Sequence, residues 1–328
     1  MERKSYKLFF IGLGGAGQRH LRIFREILPN SQFYGFRKKN KTPLLNNDFS
    51  VSKEQSLSKK YEIELLKDIQ KINDIKPDLT IISVPNSLHF HYTEIAINAN
   101  SNVLVEKPGL INFSDFKRLK NLLYGSNLLF KIGYQRKHHP LYNLISYYLN
   151  SKKFGGLKEI NINVSSYIPN WHPYEDFREL YACKKKLGGG VFTTECHELD
   201  MIIDLFGNPH DYKFNFYNSN KNLNEVADSM TAKINFNDFF VNLDVSFYRK
   251  PTQRVITFKF EEELLKWDID GQTLYLGEKN EKILNLALPN DYLFKLQAID
   301  TLKFEYKKTS HTLNKLKFYT SIIKNINI

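Results

Sequence analysis

The stretch GLGGAGQRH, residues 12–20, lies between the apolar run KLFFI and the helix-forming residues LRIF. Its glycines Gly12, Gly14 and Gly17 have the GxGxxG spacing. After a strand and before a helix, that spacing lets bare backbone approach a pyrophosphate at the helix N-terminus. The alternative is a tight strand–helix turn with no ligand. Because the flanking pattern supplies both the strand and the helix, we predict a dinucleotide-binding loop.

The first third of the chain alternates strand patterns with helical ones. The predicted strands are 6–11, 32–36, 78–84, 102–106 and 127–134. The predicted helices are 16–28, 67–75, 88–99 and 114–123, the last with Ser114 as its N-cap. Strands that alternate with helices form a parallel sheet covered on both faces. We therefore predict a Rossmann domain over residues 1–134.

The remaining residues change to a hairpin pattern. TAKINF and VNLDVSFYR alternate apolar and polar residues on either side of a turn at 237–238, and a second hairpin surrounds the turn at 270–271. A helix is predicted over Glu195–Phe206, and further helical segments follow Pro289. We therefore predict an α/β protein whose second part, residues 135–328, is an α+β domain with a largely antiparallel sheet.

Composition limits the partners. The 328 residues carry a formal net charge of +12, but no basic run with interleaved aromatic residues indicates a nucleic-acid groove. No segment approaches the roughly 20 apolar residues of a membrane span, and glycines interrupt the apolar N-terminal stretch that imitates a signal peptide. Two cysteines, Cys183 and Cys196, suit a reducing cytosol. We expect a cytoplasmic protein that binds anionic metabolites and neither nucleic acid nor a membrane.

The residues after the second strand bear on the choice of dinucleotide. An acidic residue there would hydrogen-bond the ribose hydroxyls of NAD, whereas this chain has FRKKNK, with Arg37, Lys38 and Lys39. An arginine beside a 2′-phosphate gains charge-assisted hydrogen bonds. The alternative is a solvated basic loop in a lysine-rich chain. We predict NADP as the cofactor, with NAD as a second possibility.

Three further motifs complete a family pattern. SVPNSLH (83–89) and VEKPG (105–109) each end a predicted strand, and GGGVFTTECHELD (188–200) is a glycine-led helix. Together with GLGGAGQRH they resemble the Gfo/Idh/MocA family (glucose–fructose oxidoreductase, inositol dehydrogenase and relatives). YIPNWHPYEDFR (167–178) and GYQRKHHP (133–140) are similar to family members linked to surface-sugar biosynthesis. The resemblance implies a Rossmann domain, followed at 135–328 by an α+β domain with an open, largely antiparallel sheet that serves substrate binding and oligomerisation. It also implies an active site between the two domains and a homodimer or homotetramer.

The glycine loop and the resemblance together define the expected cofactor-binding residues. These are Gly12, Gly14, Gly15, Ala16, Gly17, Arg37, Lys38, Pro85, Asn86, His89, Glu106 and Lys107. The resemblance also assigns catalysis to Lys107 and His197. Thr194 stands where family members commonly carry an aspartate, so a three-residue relay is not implied.

Oxidising an alcohol, or reducing a ketone, requires a hydride and one proton at the oxygen. Lys107 follows the carboxyl end of a strand, where its ammonium can hold the reacting oxygen; the alternative is an ion pair with Glu106. His197 lies near a helix N-terminus, which favours a neutral imidazole able to accept a proton, although a core or capping histidine is the ordinary alternative. Asp200 either orients His197 or is a solvated surface residue.

The cluster between 167 and 181 supplies candidates for the substrate side. The predicted substrate-binding residues are Arg136, Trp171, His172, Arg178, Thr194 and His197. Aromatic rings stack on sugars, and arginine can clamp a carboxylate or phosphate. His172, Glu175 and Asp176 lack the spacing of a zinc site, so no metal is expected.

These features predict an NADP-dependent oxidoreductase that acts on a hydroxyl or keto carbon of an anionic sugar derivative. The substrate would be a nucleotide sugar or a nonulosonic acid-type precursor. Two alternatives remain: a dehydrogenase of free sugars or cyclitols, and a non-catalytic NADP-binding sensor or partner protein, which the threonine at 194 motivates.

Overall fold

The computed structural model describes residues 5–38, 42–53, 56–219 and 225–326. The chain forms a six-stranded sheet and an eight-stranded sheet, in two consecutive parts of the sequence. No helix among the described residues is long and apolar enough to cross a membrane.

The six-stranded sheet is parallel throughout, in the order β3-β2-β1-β4-β5-β6. Its strands are β1 (Lys7–Ile11), β2 (Gln32–Phe36), β3 (Ile63–Leu66), β4 (Leu79–Ile82), β5 (Asn102–Glu106) and β6 (Phe130–Gly133). The central strands are buried on both faces because helices cover both, which explains their continuous apolar sequences. This order is that of a Rossmann domain, as predicted.

The helices of this domain are α1 (Gly15–Ile27), α2 (Leu57–Tyr61), α3 (Ile72–Ile75), α4 (His89–Asn98) and α5 (Phe113–Leu122). The sequence pattern missed α2 and β3, since they lie in and just after a polar stretch. The predicted helix at 67–75 is a short 3-10 turn followed by α3. The predicted cap is wrong: Ser114 lies inside α5, whose N-cap is Asn112.

The second sheet has the order β14-β13-β12-β11-β7-β10-β9-β8. Its strands are β7 (Leu157–Ser165), β8 (Asp211–Tyr217), β9 (Ser229–Asn235), β10 (Phe240–Ser246), β11 (Gln253–Phe260), β12 (Leu264–Asp268), β13 (Thr273–Leu276) and β14 (Glu281–Asn285). Only β7 and β10 pair in parallel, so the sheet is largely antiparallel, as predicted. Between β6 and β8 the described chain forms the helices α6 (Pro140–Ser151), α7 (Val191–Thr194) and α8 (His197–Phe206).

Two C-terminal helices, α9 (Tyr292–Thr301) and α10 (Lys308–Ile326), return to the first domain. Ala298 of α9 is buried in the core that α1 and the first sheet form. Leu316 of α10 lies in the core on the other face of that sheet, whereas Tyr319 and Ile322 pack into the core of the second domain. The expected division at 134/135 therefore falls just after β6, but the last two helices connect both domains.

Buried ion pairs hold α8 in place. The Asp200 carboxylate is 2.9 Å from the Lys315 ammonium of α10 and 3.6 Å from that of Lys137, which follows β6. Asp204, one turn later, also pairs with both lysines. These contacts attach α8 to α10 and to the connection between the domains. They fix the position of His197, the first residue of α8.

Candidate functional site

A cavity of about 600 Å³ lies between the two domains, at the carboxyl ends of β1, β4 and β5. This edge is where parallel α/β sheets bind ligands. Twelve of the predicted site residues line this cavity: Gly14, Gly15, Ala16, Pro85, Asn86, Glu106, Lys107, Arg136, Trp171, His172, Thr194 and His197.

The glycine loop is shaped to leave the N-terminus of α1 open. A Cβ on Gly17 would lie 2.0 Å from the carbonyl oxygen of Gly12, and a Cβ on Gly12 would lie 2.5 Å from that of Ser83. These two glycines therefore permit close backbone packing and do not line the cavity. Gly14 does line it, and a Cβ there would meet nothing closer than 3.8 Å. With no acidic residue in the first turn of α1, the site fits the pyrophosphate of a dinucleotide.

The end of β2 lies beside this loop, since the Gly12 amide donates to the Phe36 carbonyl at 2.9 Å. Arg37 follows directly. Its side chain is half-buried, and its guanidinium makes no hydrogen bond or ion pair with the part of the chain that the structure describes. Lys38 is exposed, and Lys39 lies outside the described residues. The second strand thus ends in a cation that no described carboxylate neutralises.

The predicted residues after β4 divide into two groups. The Asn86 amide lines the cavity and donates to the Gly188 carbonyl at 2.8 Å, which joins the two domains. His89 is buried, with its ring nitrogens 2.9 Å from the carbonyl oxygens of Gly109 and Val84. His89 therefore holds the two loops together behind the cavity, and it is not one of the residues that line the cavity.

Lys107 faces the second domain. Its ammonium donates to the Thr194 carbonyl at 2.6 Å and lies 3.4 Å from the Tyr181 hydroxyl. The neighbouring Glu106 carboxylate instead contacts the His20 ring at 2.7 Å. The alternative of a Lys107–Glu106 side-chain pair is therefore not what the structure shows.

The charge on Lys107 is stabilised by its surroundings. Burial alone would lower the pKa of this ammonium, but the acidic groups of Tyr181, Cys196, Glu195 and Glu106 outweigh burial and raise the pKa above its ordinary value. Lys107 is therefore a cation at physiological pH, directed at the cavity.

His197 is 7% exposed, and its Nδ1 atom has no hydrogen-bond partner among the described residues. Burial lowers its pKa well below the ordinary value, and the cations Arg136, Lys107 and Arg254 lower it further. The imidazole is therefore neutral, as the sequence predicted, although burial and cations are the main causes rather than the helix N-terminus. Asp200 is buried and faces lysines, so neither of its two expected roles is found.

A buried charged cluster, which was not predicted from the sequence, lies at the base of the cavity. Glu195, the residue after Thr194, accepts from the Ser166 hydroxyl and from the Arg254 guanidinium of β11. Arg254 also donates to Glu198 at 2.9 Å. The charged residues in TTECHE, within an otherwise apolar stretch, were the available signal. Their arginine partner is distant in sequence, so no local pattern connects them.

The substrate-side residues are also divided by the fold. Trp171, His172 and Arg136 line the cavity. Arg178 does not: its side chain is 60% exposed and its guanidinium binds the Asp176 carboxylate. Arg178 therefore lies outside the cavity lining, where the expected anion clamp would need it, and the Asp176 carboxylate two residues away already accepts from its guanidinium.

No group of three or more histidine, cysteine, aspartate or glutamate side chains that could hold a metal ion occurs in the described ranges.

Comparisons with known proteins agree with this geometry. The model of the Gfo/Idh/MocA oxidoreductase family, with an NAD-binding Rossmann fold, matches residues 6–134. The chain is 29% identical over 142 residues, 43% of its length, to dTDP-3,4-didehydro-2,6-dideoxy-alpha-D-glucose 3-reductase of Saccharopolyspora spinosa, and covers 40% of that protein. The match to each of the first curated relatives spans only 36–59% of that relative's length.

Solved structures resemble the whole chain. Biliverdin reductase from Synechocystis, crystallised with biliverdin and NADP+, superposes with a TM-score of 0.71 at 18% identity, covering 96% of this chain and 98% of that one. The WlbA dehydrogenase from Chromobacterium violaceum, crystallised with NADH and UDP-GlcNAcA, superposes with a TM-score of 0.77 at 14% identity. The superposition covers 100% of this chain and 96% of that one. At such identities these likenesses establish the fold.

Proposed function

Since residues 6–134 match the model of the Gfo/Idh/MocA family of oxidoreductases with an NAD-binding Rossmann fold, we propose that this protein is an NADP-dependent oxidoreductase of that family. Its substrate would be an anionic sugar derivative, oxidised or reduced at a hydroxyl or keto carbon. The observation that carries the proposal is that one cavity contains the open glycine loop, the Lys107 ammonium and the neutral His197 imidazole.

The bound dinucleotide would supply or accept the hydride, and the chain's own residues would act on the oxygen. The Lys107 ammonium, which lines the cavity, would hold the reacting oxygen and stabilise negative charge that develops on it. His197 is a neutral hydrogen-bonding group in the same space. Trp171 and Tyr174 line the cavity on the side of the second domain, and Phe49 lines it on the side of the first.

Arg136 supports an anionic substrate. Its Nε atom is buried without a hydrogen-bond partner in the described chain, and its ion pairs with Glu198 and Asp270 are long, at 3.9 and 3.6 Å. Arg254, by contrast, makes short contacts with the Glu195 and Glu198 carboxylates. A substrate carboxylate or phosphate would therefore satisfy Arg136, whereas a neutral polyol would leave a desolvated cation incompletely paired.

NADPH should bind at least tenfold more tightly than NADH, a difference of about 1.4 kcal/mol. The reason is that Arg37 carries a positive charge that no described carboxylate neutralises. Arg37→Asp should remove this preference, and fluorescence titration of both dinucleotides measures it. Arg118→Ala, an exposed arginine on α5, is the control. Equal dissociation constants for the unaltered protein would contradict the NADP assignment.

Arg136→Ala should raise the KM for a charged sugar at least tenfold, about 1.4 kcal/mol, with a much smaller effect on a matched neutral sugar. Absorbance of the reduced nicotinamide at two ionic strengths measures this, and added salt should weaken only the charged reaction. Arg178→Ala is the control, since Arg178 lies outside the cavity. If the neutral sugar reacts equally well, a free sugar or cyclitol dehydrogenase replaces this proposal; dinucleotide binding without turnover of any sugar would favour the sensor.

A further inference from the structure

Tyr181 has no assigned role in the proposed chemistry, yet it lies at the centre of the site. Its hydroxyl is 3.4 Å from the Lys107 ammonium, and its side chain lines the cavity. It belongs to a short 3-10 helix, Tyr181–Cys183, that precedes the glycine triplet at 188–190.

The glycine triplet positions this tyrosine. A Cβ on Gly189 would lie 2.3 Å from the Tyr181 carbonyl oxygen, and the Gly190 amide donates to the Ala182 carbonyl at 2.8 Å. Only a residue without a side chain allows the two segments to approach so closely. The segment after the triplet then supplies the Thr194 carbonyl to the same ammonium. Tyr181 and Thr194 therefore hold Lys107 from two sides.

The proposed reaction also needs a proton at the substrate oxygen, and His197 is poorly suited to give it. Its imidazole is buried beside Arg136, Lys107 and Arg254, so a protonated ring would face three cations. Glu195 is an ionised acceptor held by Arg254 and Ser166, and therefore has no proton to give. Tyr181 offers an O–H group next to the cation that would hold the reacting oxygen.

We propose that the Tyr181 hydroxyl is a further catalytic group of this site, which gives its proton to the substrate oxygen in the reductive direction. This inference rests on the proposed function. The carbonyl carbon gains a hydride from the reduced dinucleotide, the carbonyl oxygen gains the Tyr181 proton, and the C=O bond becomes a CH–OH group. The phenolate left behind is paired with Lys107 and takes a proton from water. In the oxidative direction the phenolate removes the hydroxyl proton.

The test compares the wild type with Tyr181→Phe, and uses Tyr167→Phe as a matched control outside the cavity lining. With a sugar that the wild type turns over, Tyr181→Phe should lower kcat about tenfold to a hundredfold. Its KM and its dissociation constant for NADPH should change less than threefold, because Tyr181 acts on the proton. The pH dependence of kcat should also change in this variant alone.

A second readout does not depend on turnover. Because the Tyr181 hydroxyl lies within hydrogen-bond distance of the Lys107 ammonium, Tyr181→Phe should leave Lys107 less tightly held, so that it reacts severalfold faster with an acylating reagent at pH 9, as measured by mass spectrometry without dinucleotide. If the wild type is active, and Tyr181→Phe leaves kcat, the pH profile and the acylation rate unchanged, this inference is wrong but the proposed function stands. A wild type that reduces and oxidises no sugar overturns the proposed function and this inference with it.

Discussion

Lys107→Ala is expected to lower kcat by about a hundredfold or more, while the fold and NADPH binding are retained. The variant removes the ammonium that contacts the Thr194 carbonyl and the Tyr181 hydroxyl. Without this ammonium, negative charge on the substrate oxygen loses its electrostatic stabilisation in the transition state. Steady-state kinetics with an active sugar substrate, and fluorescence titration with NADPH, measure the two effects separately.

Lys186→Ala is the control for this prediction, because Lys186 is exposed and lies outside the cavity. We expect its kcat to remain within twofold of the wild type. Normal turnover by Lys107→Ala would mean that this lysine only connects the two domains, and the catalytic role implied by the family motif would not apply to this chain.

Arg254→Met is expected to lower the free energy of unfolding by about 3–5 kcal/mol. The substitution keeps the volume of the side chain but leaves Glu195 and Glu198, both almost fully buried, without their shared cation. An unpaired carboxylate lowers the free energy of unfolding far more when it is buried than when it is exposed, because water cannot replace the lost partner of a buried group. Urea denaturation at pH 7.5 measures the difference.

Arg249→Met is the matched control, since Arg249 makes a two-bond contact with Asp244 on the surface of the same sheet. An exposed pair of this kind contributes about 0–1 kcal/mol. Equal losses in the two variants would show that burial does not determine the cost.

The pH dependence of Arg254→Met has a defined sign. Burial alone would raise the pKa of Glu195; in the wild type Arg254, followed by Lys107 and Ser166, instead holds it below its ordinary value. Without Arg254, burial should dominate and raise the pKa of this carboxyl. The folded variant then binds a proton more readily than the unfolded chain, so its stability deficit should shrink between pH 7.5 and pH 5.5. A deficit that grows on acidification would contradict this account.

Much of the first domain could be predicted because its signals are local. The glycine spacing at 12–17 and the apolar central strands β1 and β4 each lie within a short window of sequence. β3 could not be predicted, since it borders a polar stretch and pairs only with β2 at the edge of the sheet. β7 was also missed, although it lies in the middle of the second sheet between β10 and β11.

The candidate site shows the same division between local and long-range information. Lys107 and His197 carry motif signals, and both line the cavity. Tyr181 was only one member of an aromatic cluster, because its contact with Lys107 depends on the packing of the glycine triplet. His89 matched its motif, yet it is turned to backbone carbonyls behind the cavity.

Residue order alone was sufficient to identify a dinucleotide site and the sheet edge that forms it. Both depend on the alternation of strands and helices and on glycines at fixed offsets, which act within a single βα unit. Residue type could not distinguish the arginines. Arg178 is exposed on Asp176, Arg254 is buried between two glutamates, and Arg136 keeps a buried donor without a partner in the described chain. Long-range packing distinguishes the three arginines, because it determines which carboxylates contact each guanidinium. The guanidinium that is least completely paired remains available to a ligand.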